Sequence, residues 1–248
     1  MNNIKLTIEY DGSNYCGWQR QINGISVQEI IEDSIFKLIN EKVTINGSGR
    51  TDAKVHAYGQ VANFKTDSTI PPEIFYKALN RMLPNDIKCI NSQLVDDTFH
   101  ARYNATGKHY RYLILNREIR PTIQKGYVEH IVKPLDINLM KKALKYFEGQ
   151  HDFVGFMSSK SNIKNTIRTI NSTNIDIKGD LIIIDISGNG FLYNMVRIIV
   201  GVLVDVGRGR IKIDEIKDII ESKDRNRVGK TLSASGLYLM EVFYQNKE

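Results

Sequence analysis

Residues 42–65 read KVTINGSGRTDAKVHAYGQVANFK. Strand-like segments stand at both ends, near Lys42 to Ser48 and Gly59 to Lys65, and the residues between them are rich in glycine, arginine and aspartate. Two strands joined by a loop are therefore expected, and their flanks decide what sheet they enter. Upstream, Ile4, Leu6 and Ile8 alternate with Lys5, Thr7 and Glu9, the period of a half-buried strand, which the Asp11-Gly12 turn ends. Ser26 stands three residues before Glu29 as a capping box, and Val27, Ile30, Ile31, Ile35 and Leu38 follow at helical spacing, predicting a helix over 27–39. Downstream, Pro71-Pro72 opens a second helix with Ile74, Phe75, Ala78, Leu79 and Met82 on its apolar stripe, and Ile87 to Val95 reads as a strand. The order is β-α-β-β-α-β, the ferredoxin-like split unit.

The same order recurs. Tyr110 to Leu115 reads as a strand, and Leu139, Met140, Ala143, Leu144 and Phe147 mark one face of a helix. Ile175 and Ile177 alternate with Asn174 and Asp176 up to a Gly179-Asp180 turn, from which Leu181 to Ile186 returns as the hairpin partner. Leu192, Met195, Val196, Ile199 and Leu203 predict the next helix, ended by Gly207. A short helix near Ile213 to Ile220 precedes a last strand, Leu237 to Tyr244. The expectation is an α+β chain of two ferredoxin-like units packed as a pseudo-repeat, 1–105 and 106–248, with a joint near Asn104 to Lys108 and a cleft between them. One irregular α+β domain without a repeat is the alternative.

The 248 residues carry 34 Lys and Arg against 28 Asp and Glu, a formal surplus of +6, with 42% hydrophobic and 25% charged residues. That composition belongs to an ordinary globular protein and excludes disordered and fibrous classes. The surplus favours an anionic partner only weakly. No apolar stretch follows a basic start at the amino terminus, so no secretory signal is expected. The strongly apolar runs, Leu181 to Ile186 and Ile198 to Val206, fall well short of the roughly 20 residues a bilayer demands. A cytoplasmic protein is expected, with Cys16 and Cys89 as free thiols.

The most unusual stretch is the loop from Asn46 to Ala57. Gly47 and Gly49 let the backbone turn tightly, and Arg50, Asp52, Lys54 and His56 cluster behind them. Such a loop can hold a carboxylate in a cleft; it can equally be a hairpin loop with solvated charges. No third glycine of a dinucleotide fingerprint and no Gly-Lys-Ser/Thr follows, so it is not a phosphate loop. Histidines 56, 100, 109, 130 and 151 have no pair at ligand spacing and neither cysteine has a close partner, so no metal is expected. A nucleophile elbow is absent too. Arg197 falls roughly 120° from the centre of the apolar face of its predicted helix. A guanidinium there can hold a carboxylate ionised by pairing, and a plain surface arginine would sit there as well. On the strand Lys108-His109-Tyr110-Arg111-Tyr112, the tyrosines share one face and His109 and Arg111 the other, an arrangement that suits a stacked base beside a held phosphate, or simply a half-buried strand.

Seven motifs in one order make the chain similar to the bacterial tRNA pseudouridine synthase A (TruA) family along essentially its whole length. They begin with Tyr10-Asp11-Gly12 with Gly17-Trp18-Gln19, then Gly47-Ser48-Gly49-Arg50-Thr51-Asp52-Ala53 with Val55-His56-Ala57 and Gly59-Gln60-Val61. Phe99-His100-Ala101-Arg102, Tyr110-Arg111-Tyr112, Gly149 with His151-Asp152-Phe153, Phe191-Leu192 with Met195-Val196-Arg197, and Gly236-Leu237-Tyr238-Leu239 follow. The resemblance implies an isomerase that turns uridine into pseudouridine at positions 38, 39 and 40 of the tRNA anticodon stem-loop. It also implies a homodimer that uses no metal or cofactor. It makes Asp52 the catalytic carboxylate, Tyr110 a contact of the target uracil and Arg197 the partner of the aspartate, in a catalytic cleft; Arg50 and Arg102 are candidates to hold the flipped nucleotide's backbone. Lys54 stands where many relatives have glycine, and Tyr193-Asn194 where others have histidines. The competing class is a non-catalytic RNA-binding module of ferredoxin-like fold, which would have no need of a carboxylate in a glycine-flanked loop, since carboxylates repel phosphate. A glycosidic-bond hydrolase normally wants two carboxylates at a set separation.

Overall fold

A computed structural model describes residues 1–158 and 163–245. In chain order they form β1 (Asn2–Tyr10), α1 (Val27–Ile39), β2 (Asn46–Gly47), β3 (His56–Thr66), α2 (Phe75–Leu79), β4 (Ile87–Val95), β5 (Ala105–Asn116), β6 (Glu129–Ile131), α3 (Ile137–Lys145), β7 (Gly149–Asp152), β8 (Ile167–Lys178), β9 (Leu181–Gly188), α4 (Met195–Gly207), α5 (Glu215–Ser222) and β10 (Leu237–Tyr244). The fold is α+β. Two units are distinguished, one of Met1–Thr106 with the segment from Tyr238 onward, the other Gly107–Leu237.

In the first unit β1 runs antiparallel between β3 and β4. The alternation at its start is realised: Ile4, Leu6 and Ile8 are buried, and Phe64, opposite Ile4, tilts against Phe75 of α2 at 5.5 Å. Each such side chain contributes about 1.5–3 kcal/mol by leaving water. Ser26 caps α1, its hydroxyl accepting the Glu29 N–H at 3.2 Å, and the helix stops at Asn40 in the left-handed conformation with φ 56°.

Two elements are shorter than the sequence pattern predicts. The strand expected from Lys42 pairs only at Asn46–Gly47, because side chains of α1 occupy the groups a ladder would use: Ile45 N–H donates to Glu32 Oε1 at 3.1 Å and Ile45 O accepts from Gln28 Nε2 at 3.3 Å. The helix after Pro71 is a 3-10 turn followed by five α residues. It ends where Asn80 turns to β4, its amide donating to Cys89 O and accepting from Cys89 N–H, both at 2.8 Å. β3 is longer than expected, since its outer edge is shared. β2 pairs antiparallel with Ala62 and Asn63, whereas β10 pairs in parallel with His56 and Ala57.

In the second unit β5, β9, β8 and β7 lie in that order, each antiparallel to the next, and β6 adds in parallel to β5. The β8–β9 hairpin closes through Gly179-Asp180, with Gly179 at φ 60°, the turn that places glycine first. α3 packs on α4 and β8. α4 is apolar except at Arg197 and Asp205 and accordingly buried on nearly every side. It begins at Met195 rather than Leu192, because Asn194 adopts φ 64° and breaks the helical run. Segment 106–248 was expected as one unit. Its final strand, which completes the second β-α-β-β-α-β order, also finds a partner in β3 and from Tyr238 onward groups with the first unit, because a strand's hydrophobic pattern does not name all its partners.

Candidate active site

The loop between β2 and β3 is held from several sides. Gln60, fully buried at the root of β3, accepts the Ser48 hydroxyl at 2.6 Å and donates to Gly49 O at 3.1 Å, fixing the glycine-rich entry. Thr51 shares a 2.7 Å hydrogen bond with the hydroxyl of Tyr10, whose phenol burial pushes well up from its ordinary value, so it stays neutral. The Thr51 carbonyl accepts the Trp18 N–H at 3.0 Å, and Asp52 bridges to Gly17. Gly17 has φ 117°, and a Cβ there would stand 2.6 Å from Thr51 O; a Cβ on Gly12 would stand 2.0 Å from Val55 O. Only glycine lets these two backbones approach so closely. The Gly12 and Gly17 motifs thus wall the loop.

Asp52 itself is half-buried, between buried Thr51 and exposed Ala53 and Lys54. Its carbonyl accepts the Val55 N–H at 3.1 Å, closing a four-residue turn with Lys54 in third place at φ 66°. His56 is buried and stacks on Tyr238 at 4.8 Å. Its Nδ1 has the Gly12 N–H at 3.2 Å and Asp11 Oδ1 at 3.1 Å. One ring nitrogen serves one of them at a time, accepting from Gly12 when it is bare and donating to Asp11 when it carries a hydrogen. Arg50 is exposed on the same loop; Arg102 is exposed on the turn after β4, its guanidinium 5.8 Å from the Tyr103 ring.

The second unit holds the remaining candidates. Tyr110 on β5 is buried and meets Phe191 edge-on at 5.2 Å. On the opposite face of that strand, Asp185 of β9 takes up both side chains, accepting from Arg111 Nε at 2.9 Å and Nη2 at 3.1 Å and lying 2.7 Å from His109 Nε2. Burial pushes the Asp185 carboxyl up, but His109 and Arg111 outweigh it and hold the group below its ordinary value. Arg111 and His109 are therefore answered within the sheet. Arg197, in the first turn of α4, donates through Nε to Leu232 O at 2.8 Å and through Nη1 to Asn194 Oδ1 at 2.5 Å; Asn194 in turn donates to Ser158 Oγ at 2.8 Å. Its side chain is thus aimed by Asn194, one of the two residues that depart from the resemblance.

Asp52, Arg50 and Arg102 therefore belong to the first unit and Tyr110 and Arg197 to the second. Asp185 was not singled out by the sequence, and Phe191 and Asn194 stood there only as a motif residue and a departure from the resemblance, with no role given to either. The Arg111–Asp185 pair spans 74 residues and becomes visible only once β5 is set beside β9. Among the described residues no three His, Cys, Asp or Glu side chains form a group that could hold a metal ion, and no helix is long and apolar enough to cross a membrane.

A family model described as tRNA pseudouridine synthase matches residues 6–104 and 143–245, which include the Asp52 loop and Arg197. The chain belongs to the tRNA pseudouridine synthase family. It is 52% identical over 244 residues to a tRNA pseudouridine synthase A of Acetivibrio thermocellus, covering 98% of this chain and 100% of that relative. A tRNA pseudouridine synthase A 2 of Clostridium perfringens is 51% identical over the same shares. Among solved structures, a chain of a Cbf5-Nop10-Gar1 complex aligns at TM-score 0.39 with 14% identity, over 97% of this chain and 50% of that one.

Proposed function

We propose that this member of the family isomerises uridine to pseudouridine at positions 38, 39 and 40 of the tRNA anticodon stem-loop, with Asp52 as the catalytic carboxylate. The observation that carries this reading is the Asp52 turn: a half-buried carboxylate on a loop braced by Tyr10, Gly12, Gly17 and Gln60, far more fixed than a solvated hairpin needs. The reaction breaks the bond from ribose C1′ to N1, turns the uracil and forms a bond from C1′ to C5; C5 loses a proton and N1 gains one. Nothing is oxidised, hydrolysed or added, so one ionised carboxylate suffices, whether it adds to the ring or ribose or stabilises positive charge on the sugar. A paired uridine must first leave the stack, at a cost of about a few kcal/mol.

Tyr110 is proposed to contact the uracil, Arg197 to keep the carboxylate ionised, and Arg50 and Arg102 to hold the backbone of the flipped nucleotide. A cytoplasmic homodimer without metal or cofactor completes the reading. The formal surplus of +6 supports affinity for a polyanion, which should weaken as salt rises.

Asp52→Ala should abolish tritium release from tRNA labelled at uridine C5 while leaving tRNA affinity within a few-fold; appreciable release by the variant rejects the assignment. Retention of wild-type turnover by Arg197→Met would remove the role given to that arginine. Mapping pseudouridine in bulk tRNA from cells with and without the gene tests the substrate, because losses outside the anticodon stem-loop contradict it.

A further inference from the structure

Residues 96–104 join β4 to β5, and two asparagines buried in the sheet hold their backbone. Asn3 Nδ2 donates to Asp96 O at 2.8 Å and to Phe99 O at 2.9 Å. Asn63 donates to Asn3 Oδ1 at 2.9 Å and to Phe99 O at 3.2 Å, and accepts the Ala101 N–H at 2.8 Å. From the other side the Tyr244 hydroxyl donates to Ala101 O at 2.7 Å. Inside the turn Asn104 Oδ1 takes the His100 N–H at 2.7 Å, and His100 Nδ1 takes the Arg102 N–H at 3.1 Å. Asn3 and Asn63 are 2% and 3% exposed. Burying two amides is unfavourable unless every polar atom is answered, and here much of their bonding capacity serves a single surface turn.

What the rigid turn presents is aromatic and cationic. Tyr103 is 75% exposed, with the His100 ring 4.3 Å away at 40° and the Arg102 guanidinium 5.8 Å from its ring. A further cation, Lys5 Nζ, lies 5.7 Å from the Phe99 ring and 4.6 Å from that of Tyr244. Asp97 is answered by Lys65 at 2.5 Å. An aromatic face open to water, pre-oriented and bordered by cations, is the equipment with which proteins stack an unpaired base and meet its phosphate.

We propose that Tyr103, bracketed by His100 and Arg102, is a stacking platform for one unpaired base of the RNA substrate. The proposal rests on the reading of the chain as a tRNA-modifying enzyme and adds a contact to it. The stack supplies affinity that does not depend on salt, and Arg102 supplies the part that does.

The test is anisotropy of a fluorescein-labelled anticodon stem-loop RNA titrated with the full chain. Tyr103→Ala should raise Kd about 5- to 150-fold, the range for loss of one base–aromatic stack. The slope of log Kd against log salt should stay unchanged, because no phosphate contact is removed. Tyr103→Phe, which keeps the ring, should bind like wild type. An unchanged Kd for Tyr103→Ala, or a change in salt slope, overturns the platform. So does a change of oligomeric state in Tyr103→Ala, measured by mass photometry, which would assign the face to contacts between proteins. Pseudouridine formation by the wild type on full-length tRNA separates the two levels. Product formation together with unchanged Tyr103→Ala binding rejects the platform alone; absence of both product and binding rejects the platform and the function it rests on.

Discussion

Lys54 offers a test of the Asp52 turn that does not touch the chemistry. Its φ of 66° lies in the left-handed region, it is exposed, and it occupies the third position of the turn closed by the Asp52 O to Val55 N–H bond. A Cβ in that conformation costs about 1–2 kcal/mol. Replacing lysine by glycine relieves it but adds about 0.5–1 kcal/mol of unfolded-chain freedom. The net expectation for Lys54→Gly is stabilisation by about 0.5–1 kcal/mol. For a chain of this size the melting temperature should rise by about 1–4 °C. Lys54→Ala is the control, since it removes the charge and stem but keeps the Cβ and the strained φ; it should stay within about 0.5 kcal/mol of wild type. Calorimetric melting of the three proteins at neutral pH reads the difference. If the glycine variant is no more stable than the alanine variant, the left-handed turn at Asp52 is not the conformation in solution. Turnover should survive in Lys54→Gly, because glycine keeps the turn that lysine adopts under strain.

Asn63→Ala should cost about 2–5 kcal/mol, because it leaves the buried Ala101 N–H and the Asn3 carbonyl unanswered. Urea unfolding measures it, and a loss below about 1 kcal/mol would show that the 96–104 turn is not anchored in this way. Asp185→Asn tests the pairing behind Tyr110. Because the folded carboxyl is held below its ordinary value, the stability it contributes is present above about pH 4 and lost as pH falls through the lowered value. The gap in urea midpoint between wild type and Asp185→Asn should therefore shrink below about pH 4, and a gap independent of pH contradicts the pairing.

Features set by neighbouring residues were legible without coordinates. The Ser26 cap and the end of α1 at Ile39, the alternation in β1 and the Gly179-Asp180 hairpin all depend on groups within a few positions of one another, so their periodicity and turn chemistry are written locally. The elements that deviate are those whose ends are decided from outside. β2 shrinks because Gln28 and Glu32, on a helix more than a dozen residues upstream, take the backbone groups of Ile45. α2 stops because Asn80 finds Cys89, and α4 starts late because one asparagine turns left-handed, a choice that composition does not reveal.

At the candidate site the division is similar. The residue types of the Gly47–Ala57 loop, and the motifs around Gly12, Gly17 and Tyr110 that accompany it, were sufficient to name the family and, through that resemblance, to make Asp52 the candidate carboxylate. Tertiary structure alone decided that Tyr10 and Gly17 brace the Asp52 turn, that Asp185 answers His109 and Arg111, that Asn3 and Asn63 anchor the turn displaying Tyr103, and that β10 returns to β3. The reason is physical. Caps, turns and periodicity act through neighbours in the chain, whereas partner choice depends on hydrogen bonds and burial between residues tens to hundreds of positions apart, whose free energy leaves no local pattern until the chain has folded.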